Sequence, residues 1–335
     1  MRIWTFLVVA FIPSITLQGA DLERFTFSQP HMGTVFRIVL YAESGEVAKR
    51  ASDAAFTRIA ELNGVMSDYI PTSELSRLSK TSGSGQWVRL SDDLWRVLAY
   101  ARDVSEISDG AFDITVGPIV RLWRRARRQF ELPSRSRIDE AKARVGWQHV
   151  QLDVGSKSVK LLKPGMRLDL GGIAKGFAAD EALAAMKSHG VSQALIDAGG
   201  DILLGDAPPG RPGWRVGIAS VDPKTQTPAR IVLLANAAMA TSGDAWQYVE
   251  IEGVRYSHIV NPETGIGLTH RSSVSIIAGT GMMSDALASA VSVMGTERGI
   301  TLIDTLPHVH AFVLQAGTPV RITKSADIAE LRFVE

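Results

Sequence analysis

Apolar and polar positions along this chain follow two periods. Val35 to Tyr41 alternates as a half-buried strand does, whereas Glu46 to Met66 carries its apolar residues at helical spacing. A strand followed by a helix therefore opens the folded part. Ser91 with Asp92 and Asp93 precedes the periodic run Leu94, Val97, Leu98, Ala101 and Val104. A hydroxyl N-cap and an acidic first turn predict a second helix there, ended by Asp109-Gly110. From Gly146 to Leu170, short apolar segments are broken by Asp153-Val154-Gly155 and Lys163-Pro164-Gly165. This pattern predicts a hairpin followed by another strand. The next helix is expected from Lys175 to His189.

The second half mixes the same elements. Strands are expected from Ala194 to Leu204, Trp214 to Ser220, Ile231 to Ala235 and Ser272 to Ala278, with helices from Asp285 to Met294 and Glu297 to Asp304. Strands and helices do not alternate strictly. The expected class is therefore α+β, with mixed or antiparallel sheets covered by helices, rather than a doubly wound parallel sheet. No repeat or long linker divides the chain, so residues 21–335 are expected to form one catalytic unit.

Composition narrows the address more than the chemistry. Lys plus Arg number 36 against 35 for Asp plus Glu in 335 residues, so no overall basic excess draws the chain to nucleic acid. The run Arg121, Arg124, Arg125, Arg127 and Arg128 is expected to be a solvated face or loop. Cysteine is absent, which excludes disulfides, thiolate metal sites and lipid attachment at an N-terminal cysteine. Arg2, the apolar stretch Ile3 to Ile12, Pro13 and the small residues Gly19 and Ala20 have the order of a secretory signal over residues 1–20. A buried first strand or a short membrane anchor is the alternative, because Gln18 suits cleavage after Ala20 poorly. No other stretch approaches the roughly 20 apolar residues a membrane span needs. Export to the periplasm is expected, with the protein soluble there or associated with the inner membrane through an N-terminal tether.

Five segments can carry chemistry. Asp169 to Asp180 joins a strand pattern to a helix pattern through Gly171-Gly172, with Lys175 in the first helical turn. Such a turn can cradle a phosphate with unpaired N–H groups and a cation, although its spacing is neither GxGxxG nor a P-loop, and a plain strand-to-helix turn has the same glycines. Asp197 and Asp201 flank Gly199-Gly200, which suits either a metal or ribose contact or an ordinary Asx turn. Ala240 to Asp244 is a turn of similar character. Asp285 and Ser289 lie four apart on one helical face, either as half of a hard-cation site or, for Ser284 and Asp285, as helix caps. His258 precedes the turn Asn261-Pro262-Glu263-Thr264-Gly265 and is a candidate base. No G-x-S-x-G elbow occurs, which argues against an ordinary serine hydrolase.

In this order, these segments together with His31 to Thr34, Met66 to Tyr69, Ser73 to Ser76 and Gly110 to Pro118 resemble the ApbE family of FAD:protein FMN transferases. The resemblance implies flavin-binding positions at Met32, Tyr69, Ala111, Phe112, Asp113, Asp169, Lys175 and Ile259. It implies Mg²⁺ ligands at the Gly172 carbonyl, Asp285 and Ser289, where family members usually carry threonine. FAD would be the substrate, and His258 the candidate catalytic base. The acceptor would be a flavoprotein, either an exported FMN-binding domain or a subunit of a respiratory ion pump. Two other readings stay open: an FAD pyrophosphatase that uses water on the same site, and a flavin-binding protein without turnover.

Overall fold

Eight strands form the central sheet, and each pairs antiparallel with the strand next along that series. They are β1 (Glu23–His31), β2 (Thr34–Ala42), β3 (Ala194–Ala198), β4 (Ile202–Leu204), β5 (Ala237–Gly243), β6 (Ser272–Ala278), β7 (His310–Gln315) and β8 (Arg321–Lys324). The computed structural model describes residues 22–221, 227–243 and 247–334. The expected signal over residues 1–20, and Asp244, lie outside them, and Ala240 to Gly243, expected as a turn, belong to β5, where they pair with β6. Among the described residues no helix is long and apolar enough to cross a membrane.

The period-two pattern of β2 sorts the two faces of the sheet. Phe36, Ile38, Leu40 and Ala42 face one core, while Val39 and Tyr41 face another. Eight α-helices are present among the described residues, and all but the fourth and fifth lie over the first face. These are α1 (Gly45–Met66), α2 (Glu74–Lys80), α3 (Asp92–Ile107), α4 (Gly117–Gln129), α5 (Arg135–Lys142), α6 (Ala174–Ser188), α7 (Gly281–Met294) and α8 (Thr296–Ile303). Helix α1 places Ala48, Ala51, Ala55, Ile59 and Leu62 against that core, each fully buried. Burying Ile59 or Leu62 stabilises the fold by about 1.5–3 kcal/mol per side chain. The second face is covered by a three-stranded sheet of Trp214–Ile218, Arg230–Leu234 and Arg332–Val334. A smaller core joins α4 to the hairpin Tyr248–Ile251 and Val254–Ser257 through Ile119, Trp123, Val249 and Val260.

The α+β class and the antiparallel sheet agree with the sequence. Several details differ for identifiable reasons. The hairpin forms from Val150–Asp153 and Ser158–Leu161, but the stretch after it is not a strand. Residues 166–170 run between the 110–116 loop and α2, held by one parallel bridge from Val116 to Arg167 and by Leu168 N–H donating to Ser79 Oγ. Gly199 and Gly200 split the strand expected over 194–204 into a tight hairpin, both in the left-handed region that favours glycine. Helix α7 starts at Gly281, four residues earlier than the sequence suggests, because Thr280 caps it by accepting from Met283 N–H at 3.2 Å. Ser284 and Asp285 are therefore not its N-caps.

Candidate active site

Two helix N-termini cross at the centre of the site with their backbones in contact. A Cβ on Gly176 of α6 would lie 2.0 Å from the Gly281 carbonyl oxygen, and one on Gly281 would lie 2.4 Å from the Gly176 oxygen. Only glycine fits either position. The crossing is tied by reciprocal carboxylates. Asp285 of α7 accepts from Gly176 N–H at 3.1 Å, while Asp180 of α6 accepts from Gly281 N–H at 2.7 Å and Met282 N–H at 2.9 Å. Each helix thus satisfies orphan donors of the other. Capping does explain Asp285, but the helix it caps is its neighbour.

Lys175 lies at the same crossing. Its ammonium bonds Asp201 and sits 3.5 Å from Asp285 Oδ2, with both carboxylates almost fully buried. Burial works against the charged lysine, yet the two carboxylates outweigh it and hold its pKa above the ordinary range. Asp285 moves upward, first because it is buried and then because Asp201 is close. With both carboxylates ionised, one buried negative charge would be left uncompensated, which is why Asp285 holds its proton more tightly than an exposed aspartate and what a bound cation would relieve. Beside them, a Cβ on Gly172 would lie 2.7 Å from Ser289 Oγ, so this hydroxyl faces bare backbone at the turn into α6. A carboxylate, a hydroxyl and a nearby backbone turn are oxygen donors suited to a hard divalent cation that keeps water and phosphate in its shell. Uncompensated charge and donor chemistry therefore both fit Mg²⁺ at Gly172, Asp285 and Ser289. Among the described residues no group of three His, Cys, Asp or Glu forms a denser metal cage.

The contacts run outward from Gly172. Phe112 Cε2 lies 3.5 Å from where a Gly172 Cβ would be, and Asp169 N–H donates to the Ile114 carbonyl at 2.8 Å, so the 110–116 loop is joined to the 166–172 segment. Asp113 braces that loop: Oδ1 accepts from Thr115 N–H and Oγ1–H, and Oδ2 accepts from Trp147 N–H. Its burial raises its pKa against those donors. Ala111 lies in the same turn. Asp169, also pushed upward by burial and by Asp68, pairs with Arg124 at 2.8 Å. Arg124 also reaches Asp68 at 2.6 Å and lies 4.1 Å from the ring centre of Tyr69, whose face is largely exposed. This gives Arg124 a place in the site, whereas the sequence suggested a solvated face. The apolar spacing Ile119, Trp123, Ala126 was the available sign of a helix. Nothing in it says which arginine turns inward.

Met32 occupies the β1–β2 turn with φ +49° and packs on the main core. Two residues on, Thr34 fills the space beside Gly199, in the turn that delivers Asp201. Of the two aspartates of that turn only one makes the Asx turn, and the other is taken by a lysine rather than by a metal or a ribose. Asp197 makes the Asx turn by accepting from Gly200 N–H, and Asp201 holds Lys175. His258 and Ile259 precede the turn that α4 ties down, where Trp123 Nε1–H donates to the Gly265 carbonyl at 2.9 Å; that bond does not itself bring either side chain to Lys175 or Asp285. A cleft of about 260 Å³ lined by Asp109, Gly110, Asp113, Trp147, Pro262 and Glu263 lies between the two loops. His258 Nδ1–H donates to the Gln247 carbonyl at 3.0 Å, which makes Nε2 the basic nitrogen of the neutral ring.

A half-buried lysine ammonium beside a bare glycine turn and a hydroxyl is the equipment of an enzyme that handles phosphate-bearing substrates. The ApbE family model matches residues 32–313, and the chain belongs to that family. It is 32% identical over 334 residues to the FAD:protein FMN transferase of Treponema pallidum, covering 94% of this chain and 92% of that one. It is 31% identical over 310 residues to the Vibrio cholerae protein of the same name, covering 91% of each. The solved flavin transferase ApbE from Vibrio cholerae superposes with TM-score 0.82 at 27% identity, over 93% of this chain and 100% of that one. The apo flavinyl transferase ApbE of Pseudomonas stutzeri superposes with TM-score 0.79 at 26% identity, over 92% of this chain and 96% of that one.

Proposed function

We propose that this chain transfers FMN from FAD to a serine or threonine hydroxyl of another protein in an Mg²⁺-dependent reaction that releases AMP. The observation that carries this reading is Lys175 between buried Asp201 and Asp285, beside the Gly172 turn and Ser289. Gly172, Asp285 and Ser289 would hold the ion, which when bound offsets charge on the FAD pyrophosphate. Lys175 orients the pyrophosphate with its ammonium. Met32, Tyr69, Ala111, Phe112, Asp113, Asp169 and Ile259 form the surfaces that receive FAD.

The acceptor hydroxyl oxygen attacks the phosphorus nearer riboflavin, and the bond from that phosphorus to the bridging oxygen breaks. The electron pair leaves on AMP. The hydroxyl proton goes to His258 Nε2, so a phosphoester-linked FMN and AMP balance the substrates. Positioning carries more of the rate than deprotonation, because phosphoryl transfer has a loose transition state.

The test is incubation of the chain with FAD, Mg²⁺ and an exported FMN-binding domain, followed by in-gel flavin fluorescence and intact mass. A covalent FMN adduct with AMP release is expected. Free FMN and AMP with unmodified acceptor would mean an FAD pyrophosphatase, and FAD bound but unchanged would mean a binding protein. We further propose export to the periplasm through residues 1–20. Replacing Val8 and Val9 by Asp should then hold the protein in the cytoplasm, and unchanged periplasmic recovery would refute the signal.

A further inference from the structure

Helix α4 turns Arg124 into the site and leaves Arg121, Arg125 and Arg128 exposed. Arg121, Arg125 and Arg128, spaced four and three apart, lie exposed on its outer face, and Arg127 is half-buried toward Tyr69. Residues 121–137 hold seven arginines against one acid, Glu131, in a chain whose net charge is only +1. The charge is therefore segregated. Among the described residues, Arg121, Arg125, Arg127, Arg128 and Arg137 make no ion pair; Arg125 instead donates to the Gln129 amide oxygen at 2.7 Å. The helix dipole accounts for cations in the last turn, at Arg127 and Arg128. It does not account for Arg121 and Arg125, or for Arg137 on α5.

A groove of about 290 Å³ lies between α4 and the following segment, lined by Leu122, Ala126, Leu132 and Pro133 with exposed Arg125 and Arg137 and one exposed acid, Glu131. Apolar side chains meet there with a polar edge on which two arginines outnumber one acid. Arg124 on the same helix stacks on Tyr69, so one helix carries both the groove and a contact to the proposed flavin-binding face. We infer that this groove docks the acceptor protein through an acidic segment that carries an apolar side chain. The inference rests on the transferase reading and names the partner chemistry of that site. Concavity favours a protein segment over a flat anionic bilayer, because side chains can enter the groove. Charge complementarity at the rim would speed encounter and fix register near the bound flavin.

The probe is a fluorescein-labelled peptide of alternating Glu and Gly around a central Leu-Thr, compared with its Gln counterpart by anisotropy on the full chain. At low salt the Glu peptide should bind at least about tenfold tighter, and this preference should collapse in 0.3 M salt, where screening acts within roughly 6 Å. The variant R121E/R125E/R128E should lose the preference and slow FMN transfer to an acidic FMN-binding domain, while FAD affinity by calorimetry stays unchanged. R137E alone should weaken the preference in part. Equal binding of the two peptides, or a preference kept by the triple variant, would overturn the inference. So would phosphatidylglycerol vesicles that capture the chain and displace the peptide, since the face would then belong to a membrane. If the wild-type chain transfers FMN to no acceptor, the transferase reading fails, and the peptide preference is scored apart from it.

Discussion

The α6–α7 crossing and the α4 face build their parts of the site by opposite means. At the crossing, backbone meets backbone: Gly176 and Gly281 leave no room for a side chain, and short carboxylates fix both helix starts. On α4 one long side chain spans the gap, with Arg124 tying Asp68, Asp169 and the exposed Tyr69 ring. A crossing of the first kind cannot shift without losing several buried hydrogen bonds, so donors and charges stay preorganised for a pyrophosphate. A stack of the second kind can open and close over a flat ring. The difference matches the two halves of the proposed substrate.

The sharpest break in this comparison is at Asp285, which both ties the crossing and faces the proposed cation. Asp285→Asn keeps an oxygen for Gly176 N–H and removes the charge. Transfer should fall by roughly 10²–10³-fold with stability nearly unchanged. Asp285→Ala should lose as much activity and also about 1–3 kcal/mol of stability, because Gly176 N–H is left buried and unpaired. EDTA should stop wild-type transfer and added Mg²⁺ restore it. Melting temperature and FMN transfer measured on the same preparations decide the matter: a folded Asp285→Asn enzyme at wild-type rate sinks the metal assignment.

Asp180 sharpens the same side of the comparison through pH. Burial raises its pKa to about 6, against the two N–H donors of α7 that favour the ionised form. The native state therefore binds this proton more tightly than the unfolded chain. Its stabilising contribution is full below the unfolded value near pH 4 and lost as pH rises through about 6, by at most about 3 kcal/mol. Thermal melts between pH 4 and 7 should show a component of this sign in the wild type and not in Asp180→Asn. Parallel pH profiles for the two proteins would remove Asp180 from the account.

How much of this was legible in the sequence follows the same division. The strand-turn-helix through Gly171-Gly172 and the Asp285–Ser289 spacing are local patterns, and the structure brings Gly172, Lys175, Asp285 and Ser289 together. The exchange of caps between α6 and α7 was not legible. A carboxylate five residues into a helix looks like its own helix's device until the neighbour is known. Arg124 was missed because its meaning lies 56 residues away at Asp68 and 45 away at Asp169. Strand β1 escaped notice because its residues are mostly exposed, with Phe25 and Phe27 only partly buried against the core.

On the α4 side, Arg124→Lys keeps a charge but cannot bridge two carboxylates and stack on Tyr69 at once. The Michaelis constant for FAD should rise about tenfold with kcat little changed, whereas Arg124→Ala should raise it further and leave buried Asp68 and Asp169 without their counter-ion. A change in kcat alone, with FAD affinity intact, would contradict a positioning role for Arg124.

The smallest effect is expected at Ser289, back on the crossing. Its hydroxyl faces the Gly172 turn, and the space a Gly172 side chain would need is already taken by Ser289 Oγ and Cβ, at 2.7 and 3.3 Å. Ser289→Thr retains the oxygen and adds a methyl group that restricts χ1. If the oxygen is an Mg²⁺ ligand, that restriction reduces the freedom lost on binding, and the Mg²⁺ concentration for half-maximal transfer should stay level or fall by about two- to threefold. Ser289→Ala removes the donor and should raise the requirement, with kcat at saturating Mg²⁺ less affected than in Asp285→Asn, since the charge remains. Mg²⁺ titrations of transfer on the three proteins give the order. Were alanine to need no more Mg²⁺ than serine, the hydroxyl would be packing against Gly172 and the ion would be held without it.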